Sequence, residues 1–180
     1  MTVKLSDYIK DTRPDIHYYF LVMARLASLR SSCVRRTVGC VLVNEHNHVL
    51  STGYNGVLRF TEHCLSKPCD GAQDPSGSSA RCEAIHAEAN AVLHCDARHA
   101  VRTAYCTDLP CKGCAKQLVT ACPGLRELWY VRDYPDREGI TILRAQGITV
   151  FPHPTAYDKS VDEMIKKCER FRPAEEQPKA

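Results

Sequence analysis

Two short segments of the chain carry residue types that can bind a metal ion and move protons. His86 and Glu88 stand two residues apart, and Cys111 and Cys114 follow Pro110 at the C-x-x-C spacing. One imidazole and two thiolates are ligands that Zn²⁺ prefers, and three ligands leave the fourth tetrahedral position for water. Zinc lowers the pKa of bound water from about 16 to about 7. Glu88, which the metal does not need as a ligand, would carry the proton.

The two residues of the H-x-E pair can share a cavity only at one place on a helix. On an ideal helix, positions i and i+2 point about 200° apart. At the N-terminus the backbone is still turning in, so we expect the helix predicted over 83–95 to place His86 and Glu88 at its start. Pro110 suits the first turn of a helix over 110–122. The unpaired N–H groups and dipole of such a turn lower the pKa of a thiol.

Each segment taken alone also has an ordinary interpretation. A C-x-x-C pair occurs in redox dithiols and in zinc ribbons, and histidine and glutamate two residues apart are common on solvated helix faces. Here the two segments occur together, in this order, with a proline directly before the first cysteine and a predicted strand before that. H-x-E followed by P-C-x-x-C is the signature of zinc-dependent nucleobase deaminases. The combination therefore favours a catalytic zinc site.

The composition fits one globular domain with a sizeable core. The chain has 180 residues, of which 44% are hydrophobic and 25% charged. Its formal net charge of +3 is too small for a nucleic-acid-coating surface, and it has no basic aromatic tract. No apolar run approaches the roughly 20 residues of a membrane span, and the first residues lack a secretory signal. We therefore expect a cytoplasmic protein with neither nucleic acid nor membrane as a partner.

Strand and helix patterns alternate along the second half of the chain, which predicts an α/β sandwich with a partly parallel sheet. Two β-rich runs separated by the polar EHNH predict a hairpin. The predicted helices cover residues 15–30, 83–95, 110–122, 137–147 and 158–171, and the predicted strands cover 38–44, 48–55, 103–107, 127–131 and 148–151.

Three stretches are similar to the deoxycytidylate (dCMP) deaminases of the cytidine deaminase superfamily. They are VGCVLVNEHNHVLSTGYNG (38–56), IHAEANAVL (85–93) and AYCTDLPCKGCAKQLV (104–119). The GYNG motif and Asn90 are typical of that subfamily, and the similarity runs over roughly residues 16–152. Asp108 is a departure, because an apolar residue is common there in the family.

The resemblance implies a three-layer α/β/α sandwich around a mixed five-stranded sheet, with one deaminase domain over 1–172. The last residues are Pro-rich and polar, so we expect a flexible tail over 173–180. It also implies hydrolysis of dCMP to dUMP and ammonia, which supplies dUMP for thymidylate synthesis. His86, Cys111 and Cys114 would hold the catalytic zinc, and Glu88 would move the water proton to N3 and then help protonate the departing amine.

Two other functions are compatible with parts of the sequence. A polynucleotide deaminase, acting on tRNA adenosine or single-stranded DNA cytosine, shares the H-x-E and P-C-x-x-C pattern. A non-enzymatic zinc-binding module would use the metal only for structure, but such a site normally has a fourth protein ligand.

The insert loop over 56–82 shows little periodicity and is rich in Gly, Ser, Pro and Cys. The resemblance implies that a second, structural zinc orders this loop. Its expected ligands are Cys33, Cys64, Cys69 and Cys82, with His63 as the substitute. Reduced surface cysteines without a metal are the alternative. Of the 11 cysteines in the chain, five stand singly in apolar surroundings and are expected in the core: Cys40, Cys95, Cys106, Cys122 and Cys168.

Arginine can bind a phosphate bidentately. Arg30, Arg35 and Arg36 fall in the segment that borders the active site in the family, although each could instead be a solvated surface charge. We take Arg30 and Arg36 as candidate phosphate ligands. Asn55 and Tyr134 resemble family residues near the nucleotide, and they complete the predicted substrate site.

The resemblance also implies regulation and assembly. In many relatives the GYNG loop (Gly53, Tyr54, Asn55 and Gly56 here) takes part in activation by dCTP, with which Mg²⁺ can bind, and in inhibition by dTTP. Ala97 stands where phage-type enzymes place an effector-binding arginine, so regulation is left open. The family favours a homo-oligomer, most often a hexamer.

Overall fold

The computed structural model describes residues 14–75, 81–135, 137–153 and 163. The predicted helix over 158–171, apart from Glu163, and the predicted tail over 173–180 lie outside these residues. The described elements, in chain order, are α1 (Ile16–Ser28), β1 (Gly39–Val43), β2 (Val49–Tyr54), α2 (Asp70–Gln73), α3 (Ala87–Leu93), a 3-10 helix (Arg98–Ala100), β3 (Thr103–Asp108), α4 (Lys112–Ala121), β4 (Glu127–Arg132), α5 (Glu138–Ala145) and β5 (Thr149–Pro152).

The five strands form one mixed sheet in the order β2-β1-β3-β4-β5. The pairs β2–β1 and β1–β3 are antiparallel, and the pairs β3–β4 and β4–β5 are parallel. In the turn between β1 and β2, the side-chain oxygen of Asn44 accepts hydrogen bonds from the N–H groups of His46 and His48, each at 2.9 Å. The predicted hairpin and the partly parallel sheet are both confirmed.

Helices cover both faces of the sheet, and the inner strands β1 and β3 are therefore buried on both sides. Cys40 and Leu42 belong to the larger core, which α3, α4 and α5 share, whereas Val41 and Val43 belong to the smaller core under α1. This alternation follows from the two-residue period of a strand. The predicted three-layer α/β/α sandwich is confirmed. Four of the five single cysteines are buried as expected, and Cys168 lies outside the described residues.

The GYNG segment at the end of β2 holds α3 against the sheet. A Cβ atom added to Gly53 would lie 2.1 Å from a backbone oxygen of α3, so a side chain there would push the helix away. Asn90 Nδ2 donates a hydrogen bond of 2.8 Å to the carbonyl oxygen of Tyr54. Gly56 and Ile85 exchange two backbone hydrogen bonds directly before the helix begins. The sheet thereby fixes both the position and the start of α3.

We expect Gly53→Ala to destabilise the protein by about 2 kcal/mol or more, because the new methyl group would overlap the backbone of α3. Thermal denaturation should show a fall in Tm of several degrees. Gly113→Ala is the matched control, since its added Cβ would meet nothing closer than 3.9 Å. An unchanged Tm for Gly53→Ala would contradict the close packing of α3 on β2.

Candidate active site

The two sequence segments that carry the predicted metal ligands meet at the N-termini of two neighbouring helices. His86 is the N-cap residue of α3, and Cys111 is the N-cap residue of α4; both have extended backbone. Cys114 lies in the first turn of α4. His86 Nδ1 is 3.5 Å from Cys111 Sγ and 3.4 Å from Cys114 Sγ. The expectation that the helix start would gather these side chains is therefore met.

The donor set fits zinc. The ligand atoms of His86, Cys111 and Cys114 all lie within 4.8 Å of one another, and among the described residues no other three ligating side chains come as close. Imidazole nitrogen and thiolate sulfur suit a borderline-soft cation, and two thiolates balance the double positive charge. With three protein ligands and a cavity beside them, the arrangement corresponds to a catalytic rather than a closed structural zinc site.

Hydrogen bonds among the three side chains shift their pKa values in different directions. Hydrogen bonds from Cys114 and His86 lower the pKa of Cys111 to about 4. The pKa of Cys114 is raised, first by its hydrogen bond to Cys111 and then by burial. The hydrogen bond to Cys111 also raises the pKa of His86. One thiolate is therefore already present for the metal at neutral pH, and metal binding displaces the second thiol proton.

Glu88 lies in the first turn of α3 and is only 4% exposed. Burial raises its pKa, because the ionised carboxylate loses its hydration. A carboxyl group whose pKa is shifted towards neutrality can accept and return a proton during one reaction cycle. Glu88 has the burial and the position that a proton carrier beside the metal needs.

A cavity of about 460 Å³ opens beside these residues. Its volume falls in the usual range for small-molecule sites. The lining includes the predicted site residues His86, Glu88 and Cys111 and the predicted substrate residues Arg36, Asn55 and Tyr134; the other lining residues are Cys33, Arg35, Val38, Cys82, Ala84, Ala87, Asp108, Leu109 and Pro135.

The structure shows the surroundings of two of the substrate residues predicted from the sequence, Arg30 and Asn55. Arg30 is exposed in the turn that follows α1 and is not part of the cavity wall, whereas Arg35 is. The amide of Asn55 bonds to the backbone: its Oδ1 accepts from the N–H of Val38 and its Nδ2 donates to the carbonyl oxygen of Arg36, both at 2.8 Å. Asn55 therefore shapes the wall that carries Arg36.

Arg132 was not predicted, and Asp108 was noted only as a departure from the family pattern. Arg132 Nη2 lies 2.7 Å from Asp108 Oδ2, and Arg36 Nη1 lies 3.9 Å from Asp108 Oδ1. The guanidinium of Arg36 also lies over the ring of Tyr134, 5.3 Å from its centroid. In the sequence, Asp108 and Arg132 directly follow two predicted strands, which indicates that both lie at a sheet edge. Their pairing depends on the register of the two strands.

The four cysteines predicted for a second zinc come close together without forming a complete ligand group. Cys64 Sγ and Cys69 Sγ are 3.9 Å apart. Cys33, Cys64 and Cys69 all lie close enough to Cys82 to raise the pKa of its thiol. The N–H of Glu83, followed by other backbone groups, lowers the pKa of Cys69.

Burial, followed by the neighbouring cysteines, raises the pKa of Cys82. The substitute ligand His63 is exposed. Every described cysteine is a free thiol, so these residues are not in disulfides.

Comparison with known proteins identifies the family. Residues 14–130 match the cytidine and deoxycytidylate deaminase zinc-binding region. The chain belongs to this family. It is 38% identical over 129 residues to a deoxycytidylate deaminase of Mycobacterium phage D29, with 68% of this chain and 98% of the phage protein aligned. The predicted membership of the deoxycytidylate deaminase group within the cytidine deaminase-like superfamily is confirmed.

Two further comparisons bear on length and fold. The chain is 37% identical over 142 residues to a deoxycytidylate deaminase of Saccharomyces cerevisiae; the alignment covers 77% of this chain but only 45% of the yeast protein, so the chain spans less than half of that relative. A crystal structure of dCMP deaminase from the cyanophage S-TIM5, in complex with dCMP and dUMP, superposes with a TM-score of 0.62 at 27% identity, covering 79% of this chain and 99% of the phage chain.

Within the described part of the chain, no helix has the length and apolar character of a membrane span.

We expect Cys114→Ala to lower the zinc content of the purified protein by about one metal ion per chain, because two remaining ligands bind zinc weakly. Inductively coupled plasma mass spectrometry measures the loss. Cys122→Ala is the control, since Cys122 is equally buried but belongs to the apolar core. Full zinc content in Cys114→Ala would show that Cys114 is not a ligand.

Proposed function

We propose that this protein is a zinc-dependent dCMP deaminase that converts dCMP and water to dUMP and ammonia. The observation that carries the proposal is the grouping of His86, Cys111 and Cys114 around one point, with buried Glu88 beside the same cavity. The similarity to two deoxycytidylate deaminases over most of this chain supports the choice of substrate. The phage structure with dCMP and dUMP supports it further.

The chemistry divides between the metal and Glu88. When bound, zinc would supply a water molecule that is acidic enough to react at neutral pH. The Glu88 carboxylate accepts a proton from this water as its oxygen bonds to C4 of the cytosine. Glu88 then gives that proton to N3. It next takes the remaining proton from the hydroxyl group on C4 and passes it to the amino group, which leaves as ammonia when the C4–N bond breaks. The raised pKa of Glu88 suits both steps, because the residue must hold the proton between them.

The charged wall of the cavity suits the phosphate of a nucleotide. Arg35 and Arg36 line the cavity, and Tyr134 offers an aromatic surface beside Arg36. Arg35 also donates a hydrogen bond to the carbonyl oxygen of Gly71, so the loop that carries α2 helps to hold it. A guanidinium can bind phosphate oxygens bidentately. We therefore assign Arg36, supported by Arg35, to the 5′-phosphate of dCMP.

Turnover of the purified, zinc-loaded protein is the direct test. We expect the ultraviolet change of deamination with dCMP, and little or none with cytidine, dCTP or a deoxyoligonucleotide. Activity on the oligonucleotide without activity on dCMP would instead support the polynucleotide deaminase. Absence of activity on every compound would support a non-enzymatic zinc-binding module.

Glu88→Gln tests the proton carrier. The amide has the same shape but cannot exchange the proton, so we expect kcat for dCMP to fall by at least about a hundredfold while zinc remains bound. Glu45→Gln, an exposed residue in the β1–β2 turn, is the control and should keep full activity. Near-normal turnover in zinc-loaded Glu88→Gln would rule out this role.

We also propose that Cys33, Cys64, Cys69 and Cys82 bind a second, structural zinc. The 3.9 Å separation of the Cys64 and Cys69 sulfur atoms is close to the distance between two thiolates on one tetrahedral ion. Cys33, in the segment before β1, and Cys82, at the end of the insert loop, border the same region. A metal here would tie the insert loop to the segments before β1 and before α3, and so would stabilise part of the cavity wall.

Metal analysis separates this proposal from unmetallated thiols. We expect about two zinc ions per chain in the wild-type protein and about one in Cys69→Ala, which keeps the catalytic ligands. Cys95→Ala, at a buried core cysteine, should retain two. A wild-type value near one, lost entirely in Cys114→Ala, would eliminate the second site.

The family resemblance leads us to four finer proposals. These are a cytoplasmic location, a role in supplying dUMP for thymidylate synthesis, a homo-oligomeric and most simply hexameric assembly, and regulation by dCTP, with Mg²⁺, and by dTTP. The GYNG segment would carry the regulatory contacts. In this chain that segment also fixes α3, so a ligand bound to it would be linked to the position of His86 and Glu88.

A further inference from the structure

A buried carboxylate lies in the cavity wall between two arginines. The Asp108 side chain is 5% exposed, whereas those of Arg36 and Arg132 are about half exposed. Arg132 makes the short contact, 2.7 Å from Asp108 Oδ2, and Arg36 the long one, 3.9 Å from Asp108 Oδ1. A buried carboxylate is stable only when a cation or several donors satisfy it. Either Arg36 or Arg132 could therefore serve as the counter-ion of Asp108.

The fold assigns this role to Arg132. Asp108 and Arg132 are register partners at the ends of the parallel strands β3 and β4, so their side chains start close together. Arg132 Nη2 also donates a hydrogen bond of 2.9 Å to the carbonyl oxygen of Thr37. The Thr107 hydroxyl donates a hydrogen bond of 2.7 Å to the same oxygen of Asp108 that Arg132 contacts. Arg132 is thus fixed by both the carboxylate and the loop that carries Arg36.

Arg36 is placed for a different partner. It lines the cavity, whereas Arg132 does not. Its backbone is held by Asn55 and its guanidinium by the ring of Tyr134. At 3.9 Å, its contact with Asp108 is too long for a hydrogen bond. The guanidinium therefore keeps its hydrogen-bonding capacity for an anion that enters the cavity.

We propose that Arg132 is a positioning residue that neutralises Asp108, and so keeps Arg36 available for the phosphate group of a nucleoside monophosphate. This inference rests on the proposed function and specifies how the same cavity recognises the phosphate. Without Arg132, Arg36 is the only cation among the described residues within 4.0 Å of Asp108. The carboxylate would then draw Arg36 away from the ligand, and the phosphate would compete with Asp108 for one guanidinium.

The test is the affinity of the zinc-loaded protein for dUMP and for deoxyuridine, which differ only in the phosphate, measured by isothermal titration calorimetry. We expect the wild-type protein to bind dUMP at least about tenfold more tightly, the value of one charge-assisted interaction. Arg132→Met should lose about tenfold in affinity for dUMP and keep its affinity for deoxyuridine within about twofold. Arg144→Met, which removes a charge from the exposed side of α5, should change neither affinity.

The double variant Asp108→Asn/Arg132→Met distinguishes positioning from general damage. A neutral asparagine no longer attracts Arg36, so we expect the affinity for dUMP to recover to within about threefold of the wild-type value. Arg132→Lys, which keeps the positive charge, should lose less affinity than Arg132→Met. Should Arg132→Met fail to fold, the double variant and Arg132→Lys, compared with the wild type, carry the same test.

Three results would overturn the inference. They are equal losses for dUMP and deoxyuridine in Arg132→Met, no recovery in the double variant, and a wild-type protein that does not prefer dUMP. Failure of the proposed function has a separate signature, namely no turnover of dCMP by the wild-type protein. A protein that binds dUMP in the expected order but does not turn over dCMP would retain the positioning role and lose the proposed activity.

Discussion

The site depends on the meeting of two helix N-termini at one end of the central strands. Each metal-ligating segment has its first ligand at an N-cap, where the backbone is extended and the side chain can point across to the other helix. The position of α4 follows from β3, which leads into Pro110. The position of α3 follows from β2, because Gly53 allows backbone contact and Asn90 bonds to the strand end. A shift of either helix would separate His86 Nδ1 from the two sulfur atoms.

Two buried carboxyl groups in this cavity have opposite surroundings, which suit the different roles that we propose for them. Glu88 lies beside the metal ligands, and burial dominates the shift of its pKa. Asp108 lies between two guanidinium groups and accepts a hydroxyl hydrogen bond. The first environment favours a group that exchanges protons, and the second favours a fixed negative charge. Because Asp108 is buried, its charge needs a compensating cation, and Arg132 at the end of β4 provides it.

The sequence alone predicted the features that depend on local spacing. The H-x-E and P-C-x-x-C segments predicted the three side chains that the structure brings together, and the alternation of strands and helices predicted the layered α/β fold. The helix predicted over 83–95 begins later, at Ala87, because Ile85 pairs with Gly56 in an extended conformation. The short helix α2 was missed because four residues inside an irregular loop show no periodicity.

Features that depend on non-local geometry could not be predicted in this way. Arg30, Arg35 and Arg36 are the same residue type in one short segment, so the sequence does not distinguish them. Only the path of the loop after α1 places Arg35 and Arg36 at the cavity. The pairing of Arg132 with Asp108 depends on the register of two parallel strands. The support that Asn55 gives to the loop follows from two hydrogen bonds to backbone groups 17 and 19 residues away in the chain.

In the proposed site, His86, Cys111 and Cys114 bind one zinc ion and leave its fourth position to solvent. Anomalous difference density at the zinc absorption edge, in crystals of the zinc-loaded protein, tests it most directly. We expect a peak about 2.0–2.1 Å from His86 Nδ1 and about 2.3 Å from both sulfur atoms, with a non-protein fourth ligand. A fourth protein ligand at this ion, or no zinc between the two helix N-termini, would contradict it.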